Sequence, residues 1–162
     1  MSGLEQKLVL VSGSTKGIGK AIAEAFVDKN ARVVVHGRKQ EEAGQVCSSI
    51  GAFAAVSGDL GTAEGSGDVI EQLKPLGAVE VLVNNAGIFG VEDFFEMDDA
   101  EWLRYFQVNI MSAVRLSRAL MPPMLEADWG RVINVASEAA VKPLPQMIHY
   151  SMTKTALVSL AR

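Results

Sequence analysis

The sequence predicts an α/β fold, in which a doubly wound parallel sheet is covered by helices on both faces. Short apolar runs alternate with longer amphipathic stretches along the 162 residues. The apolar runs are rich in Val, Leu and Ile without polar alternation, as is typical of parallel strands buried on both faces. Such strands are joined by right-handed βαβ units. Because no linker, repeat or low-complexity tract interrupts the pattern, we predict a single domain over residues 1–162.

Five strands and five helices follow from this pattern. Strands are predicted at 7–11, 32–36, 52–56, 79–83 and 131–136, and helices at 17–29, 40–49, 64–74, 98–125 and 147–162. The fourth helix carries an apolar stripe at three-to-four spacing. Asp98 or Asp99 is expected to cap its start, and Pro122 and Pro123 are expected to end or kink it.

Composition narrows the class of protein. Hydrophobic residues make up 49% of the chain and charged residues 21%, which excludes intrinsic disorder. A net charge of −4 argues against a nucleic-acid partner. The single cysteine, Cys47, cannot form an intrachain disulfide, and the sequence shows neither a signal peptide nor a membrane-spanning run. We therefore expect a cytoplasmic protein with no membrane or nucleic-acid partner, and we predict no metal site.

A glycine-rich loop follows the first predicted strand with the spacing GxxxGxG. Gly13 permits a tight turn, Gly17 allows the backbone to approach a pyrophosphate, and Gly19 lets the helix pack close to the sheet. A Walker loop is disfavoured, because Ser14 and Ala21 replace its first glycine and its hydroxyl residue. A merely tight strand–helix turn remains the alternative. The predicted cofactor-binding residues here are Gly13, Ser14, Thr15, Lys16, Gly17, Ile18 and Gly19.

The end of the second strand bears on the choice of cofactor. An acid about 20 residues beyond the glycine loop would bind the ribose 2′-hydroxyl of NAD(H). Here the strand is followed by Arg38 and Lys39, with no acid until Glu41, and Lys16 adds a cation from the loop. These cations favour a 2′-phosphate, and hence NADP(H) over NAD(H). The alternative is that Arg38 and Lys39 are ordinary solvated charges.

Three residues near the end of the chain suggest proton-transfer chemistry. Tyr150 and Lys154 are four residues apart and share one helix face, so the ammonium can lie near the phenol and favour its ionised form. Ser137 closes the last strand, at the sheet edge where parallel sheets bind ligands. A Tyr-xxx-Lys pair alone is a weak signal, because most such pairs join a half-buried ring to a surface lysine.

The motifs together resemble the short-chain dehydrogenase/reductase family, and the resemblance runs the whole chain. The order is GxxxGxG, Asp59-Leu60, Asn84-Asn85-Ala86-Gly87, Asn109, Ser137, and then Tyr150 with Lys154. Within that family, the sequence resembles members of the 3-oxoacyl-carrier-protein-reductase type. The resemblance implies a Rossmann-type dinucleotide-binding domain and an NADP(H)-dependent oxidoreductase that interconverts a carbonyl and an alcohol, a β-keto thioester being one candidate substrate.

The resemblance also implies roles for individual residues. Asp59 would hold the adenine amino group, with Leu60 flanking the ring, while the Asn84–Gly87 segment (including Asn85, Ala86 and Gly87) would pass the adenosine ribose and steady the sheet. In the catalytic group, Asn109 would hold a water in a proton relay and Ser137 would orient the carbonyl. Tyr150 would be the acid–base catalyst, and Lys154 would bind the nicotinamide ribose and favour the Tyr150 phenolate.

Family members continue beyond the length of this chain. The resemblance therefore implies that the first five strands are present and the C-terminal strands missing, which leaves the domain incomplete at that end. The resemblance also implies a homodimer or homotetramer, in which the long helix and the Tyr150 helix pair across a two-fold axis as a four-helix bundle. The alternative function is a catalytically weak or inactive cofactor-binding fragment that acts as an oligomeric binding module.

Overall fold

The computed structural model describes residues 3–161, which form one five-stranded parallel sheet. The strands are β1 (Leu8–Val11), β2 (Arg32–Gly37), β3 (Ala54–Ser57), β4 (Val81–Asn84) and β5 (Arg131–Asn134). Their spatial order is β3-β2-β1-β4-β5. The predicted doubly wound parallel sheet is therefore confirmed. The chain changes direction across the sheet between β1 and β4, which makes this the position where ligands bind in such folds.

The described part of the chain also contains six α-helices. They are α1 (Gly17–Val27), α2 (Gln40–Ile50), α3 (Ala63–Leu73), α4 (Asp99–Phe106), α5 (Ser112–Glu126) and α6 (Ile148–Leu160). Short 3₁₀ turns cover Lys74–Leu76, Glu138–Ala140 and Pro145–Met147.

Alternate residues of the central strand enter two hydrophobic layers. Leu8 and Leu10 of β1 pack with side chains of α3 and α5, whereas Val9 and Val11 pack with Ala23 of α1 on the opposite face. This division follows from the two-residue period of a strand. All four β1 side chains are buried, which explains why β1 shows no polar alternation.

The predicted long helix over 98–125 consists of three parts. Between α4 and α5 lies a π-helical turn, Gln107–Met111, in which the Ser112 N–H bonds the Gln107 carbonyl five residues earlier. Asp98 caps α4, as predicted, by accepting a 2.8 Å hydrogen bond from the Glu101 N–H. Because a π turn is one residue wider than an α turn, it shifts the side chains after it around the helix axis.

The two prolines do not end α5. Pro122 and Pro123 lie inside the helix, which continues to Glu126. Both prolines are exposed, and the helix continues through them although neither has an N–H to donate.

Within residues 3–161, no helix has the length and apolar character needed to cross a membrane.

Candidate active site

The glycine loop between β1 and α1 takes the conformations that its glycines permit. Gly13 and Gly17 have φ angles of +64° and +56°, which other residues rarely adopt. A Cβ atom on Gly13 would lie 3.0 Å from the Cα of Ala86, and one on Gly19 would overlap the Gly13 carbonyl oxygen. The loop therefore depends on glycine both for its turns and for its close packing.

The start of α1 offers unpaired backbone amides. Lys16 takes the N-cap position without a side-chain hydrogen bond, and the first turn carries no acidic residue. The positive end of the helix is therefore neither capped nor neutralised within the described part of the chain. Such an end suits the pyrophosphate of a dinucleotide. Lys16, Gly17 and Ile18 are exposed here, so a ligand can reach them.

Ser12 fastens the glycine loop to the segment after β4. Its hydroxyl donates to the Val83 carbonyl at 3.1 Å and accepts from the backbone amides of Asn85 and Ala86 at 2.9 and 3.0 Å. The Asn85 side chain donates in return to the carbonyls of Ser12 and Gly13, at 2.9 and 3.0 Å. The structure thus places the Asn85 amide on the loop backbone, where it shapes the cofactor site without pointing into it.

The Asn84 side chain connects neighbouring elements of the fold. Its Nδ2 donates to Ser117 Oγ at 3.2 Å and to Asn134 Oδ1 at 2.9 Å, which ties β4 to α5 and β5. Gly87 is exposed, and a Cβ atom there would lie 3.3 Å from Asn109 Oδ1 and 3.6 Å from Lys154 Nζ. This part of the segment therefore lies beside two of the predicted catalytic residues, Asn109 and Lys154.

The residues after β2 and β3 include those predicted to bind the adenosine half of a dinucleotide. Arg38 is exposed and forms no ion pair with the residues the structure describes. Asp59 is exposed as well, and its Oδ1 accepts from the Gly61 N–H at 2.9 Å. Thr62, not Asp59, caps α3. The Leu60 side chain is 3% exposed and packs in the core, and the role expected for this residue beside an adenine ring stays a prediction.

Ser137 and Tyr150 line one cavity of about 360 Å³. Ser137 lies three residues beyond the end of β5 and caps a 3₁₀ turn, where its Oγ accepts from the Ala139 N–H at 3.2 Å. Tyr150 lies near the start of α6. The remaining lining residues are Phe89, Glu138, Ala139, Lys142, Leu144 and Met147.

Lys154 lies behind Tyr150 on the same helix. Its Nζ is 5.7 Å from the centre of the Tyr150 ring and donates a 2.8 Å hydrogen bond to the Val135 carbonyl. The side chain is 5% exposed, and burial lowers the pKa of Lys154. It has no carboxylate partner among the described residues. Two of its N–H groups therefore remain available for a ligand or for the phenol.

Asn109 lies in the π-helical turn and is buried. Its Oδ1 accepts from the Ile88 N–H at 2.8 Å, while its Nδ2 donates to the Ile88 carbonyl at 3.0 Å and to Thr153 Oγ1 at 2.9 Å. The side chain thus joins the β4–α4 segment to α6. Both hydrogens of the Asn109 side-chain amide are donated to protein atoms. The amide therefore has no hydrogen left to donate to a relay water.

Sequence reasoning missed three contributors to the site. The Ser12 hydroxyl connects the glycine loop to the segment after β4, and the Thr153 hydroxyl accepts a hydrogen bond from the Asn109 amide. Phe89 packs edge-on against Tyr150 with 6.3 Å between the ring centres. Ser12 precedes the first glycine at a strand end, which could have indicated its role. No pattern marks Thr153 or Phe89. His149, next to Tyr150, packs against Tyr105 and Trp102, outside the cavity.

Comparison with known proteins places this geometry in context. The family model described as short chain dehydrogenase matches residues 7–162. An uncharacterized oxidoreductase of Bacillus subtilis, YvrD, is 50% identical over 162 residues, which cover 98% of this chain and 62% of that protein. The L-sorbose reductase of Gluconobacter frateurii, solved with NADPH and L-sorbose, has a TM-score of 0.89 at 36% identity, over 97% of this chain and 62% of that one.

A 3-oxoacyl (acyl-carrier-protein) reductase of Agrobacterium tumefaciens, solved with NADP bound, has a TM-score of 0.90 at 31% identity. This match covers 97% of the present chain and 62% of that structure. The chain therefore spans about three fifths of the length of the proteins it matches.

Proposed function

Because the chain belongs to the short-chain dehydrogenase family, we propose that its site interconverts a carbonyl and an alcohol with NADP(H) as cofactor. A bound nicotinamide dinucleotide supplies the hydride for reduction and accepts it for oxidation. The observation that carries the proposal is the meeting of Ser137 and Tyr150 in one cavity, with Lys154 behind the phenol. This group can bind a carbonyl oxygen and move a proton to it.

We propose the following roles for the side chains, which their contacts support. Ser137 Oγ accepts from the Ala139 N–H, so its own proton is free to be donated to the carbonyl oxygen of a substrate. In reduction, Tyr150 donates its phenolic proton to that oxygen as the carbon–oxygen double bond becomes a single bond. The Lys154 ammonium stabilises the phenolate left behind. Asn109 keeps the β4–α4 segment and α6 in register while this happens.

The residues present fit a phosphorylated dinucleotide. The uncapped start of α1 suits its pyrophosphate, and the exposed cations Lys16 and Arg38 suit a 2′-phosphate. The reductases of G. frateurii and A. tumefaciens were solved with NADPH and NADP, which supports the same choice here. We therefore propose NADP(H) in preference to NAD(H).

The cavity indicates a substrate with an apolar body. Phe89, Leu144 and Met147 supply apolar walls, and the flexible Met147 side chain suits a range of shapes. The structural neighbours include an L-sorbose reductase and a 3-oxoacyl reductase. We propose a small ketone, including β-keto thioesters, as the substrate class.

Two measurements test the proposal in order. Calorimetric titration with NADP⁺ tests the cofactor site, and loss of the reduced cofactor's absorbance with a panel of ketones and β-keto thioesters tests turnover. Binding followed by turnover supports the full proposal. Binding without turnover favours the alternative of a cofactor-binding module, and the absence of binding overturns both.

We also propose self-association through α4, α5 and α6. These helices expose large apolar side chains, including Leu103 at 60%, Leu125 at 73% and Met152 at 61%. Helices with apolar outer faces commonly pair across a two-fold axis. A dimer, or a tetramer built from dimers, would cover these faces.

A further inference from the structure

His36 lies at the end of β2, between two loops of the cofactor site, and is 3% exposed. Its Nδ1 accepts a 2.9 Å hydrogen bond from the Gly13 N–H, and its Nε2 lies 3.1 Å from the Gly58 carbonyl oxygen. A backbone N–H can only donate, so Nδ1 must be unprotonated. A carbonyl can only accept, so Nε2 carries the proton. Both partners thus assign the same neutral tautomer to the ring.

The backbone of His36 binds the same glycine loop. The Ser14 N–H donates to the His36 carbonyl at 2.9 Å, and the His36 N–H donates to Ser14 Oγ at 2.9 Å. His36 therefore holds the loop by three hydrogen bonds, while its Nε2 reaches the residue before Asp59. No other side chain among the described residues bonds to the backbone of both loops.

We propose that His36 is a positioning residue that holds the phosphate-binding glycine loop against the segment after β3, and that protonation of its ring weakens dinucleotide binding. The inference rests on the proposed cofactor site. The protonated ring is a donor at both nitrogens, so Nδ1–H would face the Gly13 N–H. The bond to Gly13 would then be lost, while the bond to Gly58 could remain. The N–H of Gly13, the glycine whose turn leads to the phosphate site, would then lose its hydrogen-bond acceptor.

The surroundings of the ring favour its neutral form. Burial lowers the pKa of His36, and this effect outweighs the Gly58 hydrogen bond and the Asp59 carboxylate, which both act to raise it. β1 and β3, which flank β2, carry no charged side chain. The charged groups of the adjoining segments are all exposed: Lys16, Arg38, Lys39, Glu41, Glu42 and Asp59. The neutral ring is therefore favoured, and protonation of His36 requires a lower pH than protonation of an ordinary histidine, whose pKa is 6.5.

Two substitutions separate the bonds that the ring makes. His36→Asn places an amide oxygen near the position of Nδ1, where it can accept from Gly13 without titrating. His36→Gln places an amide nitrogen near the position of Nε2, where it can donate to Gly58 but leaves Gly13 unpaired. Circular dichroism at each pH establishes that the variants are folded, and if His36→Gln is not, His36→Asn decides the test alone.

The experiment measures NADP⁺ binding by calorimetry from about pH 8 to about pH 5. At the upper pH, we expect His36→Asn to bind within about threefold of the wild type and His36→Gln to bind about tenfold more weakly. As the pH falls, the ratio of wild-type to His36→Asn affinity should drop by about threefold or more. The ratio removes the titration of the ligand's own 2′-phosphate, which has a pKa of about 6.

The proposal is overturned if this ratio stays constant over the whole range, or if a folded His36→Gln variant binds as tightly as the wild type at the upper pH. A wild type that binds NADP⁺ at no pH contradicts the proposed function itself. The two failures are therefore distinguishable.

Discussion

The Asn109 amide donates a 2.9 Å hydrogen bond to the Thr153 hydroxyl, and this bond joins the π-helical turn to the helix that carries Tyr150. Thr153 in turn donates to the Tyr150 carbonyl at 2.7 Å. Asn109 and Thr153 are both buried. The position of Tyr150 is thus tied, through two polar side chains, to the backbone of Ile88 in the segment after β4.

Replacement of Thr153 by Val should destabilise the fold. The variant keeps the side-chain shape but leaves an Asn109 N–H unpaired in the interior, which costs about 1–3 kcal/mol. Urea unfolding at neutral pH measures the loss. Thr153→Ser is the matched control, because it keeps the hydroxyl and loses one methyl group, worth about 0.8 kcal/mol. Equal losses in the two variants would show that the hydroxyl does not matter.

The strands could be predicted from the sequence because each contains a short apolar run. β1, β2 and β4 carry buried Val and Leu residues inside the sheet, whereas β3 and β5 lie at its edges. The starts of the strands were less predictable. The third strand begins at Ala54, two residues later than expected, because Gly51 ends α2 in the left-handed conformation and Ala52 still bonds back to Cys47. Local hydrophobicity carries no information about such a bond.

The interrupted long helix shows a second limit. An apolar stripe at helical spacing continues through residues 98–125, yet Asn109 makes three hydrogen bonds outside its own helix and lies in a π turn. Those bonds depend on Ile88 and Thr153, which are distant in sequence. Leu60 illustrates the same point, because its burial depends on α3 and β1 packing over it. Motif spacing predicts which residues form the candidate site, whereas tertiary contacts decide which of their atoms face it.

Cofactor choice should depend on Arg38. Arg38→Asp removes a cation and adds a charge that repels a 2′-phosphate, so the preference for NADP⁺ over NAD⁺ should fall by about tenfold or more. Calorimetric titration of both cofactors measures the ratio. Lys29→Asp makes a comparable charge change at an exposed position beyond the end of α1 and should leave the ratio unchanged. Equal ratios in wild type and Arg38→Asp would contradict NADP(H) selection by this residue.

Lys154 should carry a cost in stability. Burial lowers its pKa, so the unfolded chain holds this proton at pH values where the folded chain begins to release it. The contribution of Lys154 to the free energy of unfolding therefore increases as the pH rises toward 10.5, the ordinary pKa of lysine. It decreases as the pH falls toward neutral. Lys154→Met lacks the buried charge, so near neutral pH it should be at least as stable as the wild type.

Urea unfolding of both proteins at about pH 7 and about pH 10 checks this expectation. From the lower to the higher pH, the free energy of unfolding should increase more for the wild type than for Lys154→Met. A difference between the two proteins that does not change with pH would contradict the predicted cost of the buried charge. The same variant should bind NADP⁺ about tenfold more weakly, because it cannot donate to the ribose.

Association should depend on the exposed apolar faces of α4 and α6. Leu103→Lys and Met152→Lys introduce charges at side chains that are 60% and 61% exposed, so folding should be little affected while a dimer should weaken by at least about tenfold. Sedimentation velocity over a concentration series measures the dissociation constant. Phe95→Ser is the control, since Phe95 is 90% exposed but lies outside these helices. A monomer at every concentration of wild type would contradict the proposed pairing.

Tyr150→Phe should separate proton transfer from binding. The variant keeps the ring, its edge-on contact with Phe89 and its place in the cavity wall, and loses only the phenolic hydroxyl. Loss of general acid–base catalysis typically lowers the rate by about 10²–10⁴-fold, while NADP⁺ affinity should change by less than about threefold. Ser137→Ala should also slow turnover with little effect on NADP⁺ affinity, because its hydroxyl is placed to bind the substrate oxygen.

The measurement for both variants is oxidation of the reduced cofactor in the presence of a ketone panel, with calorimetry on the same samples. Met147→Leu, a similar-sized change in the same cavity, serves as the control for altered packing. A Tyr150→Phe variant with the turnover of the wild type would remove this residue from the catalytic role.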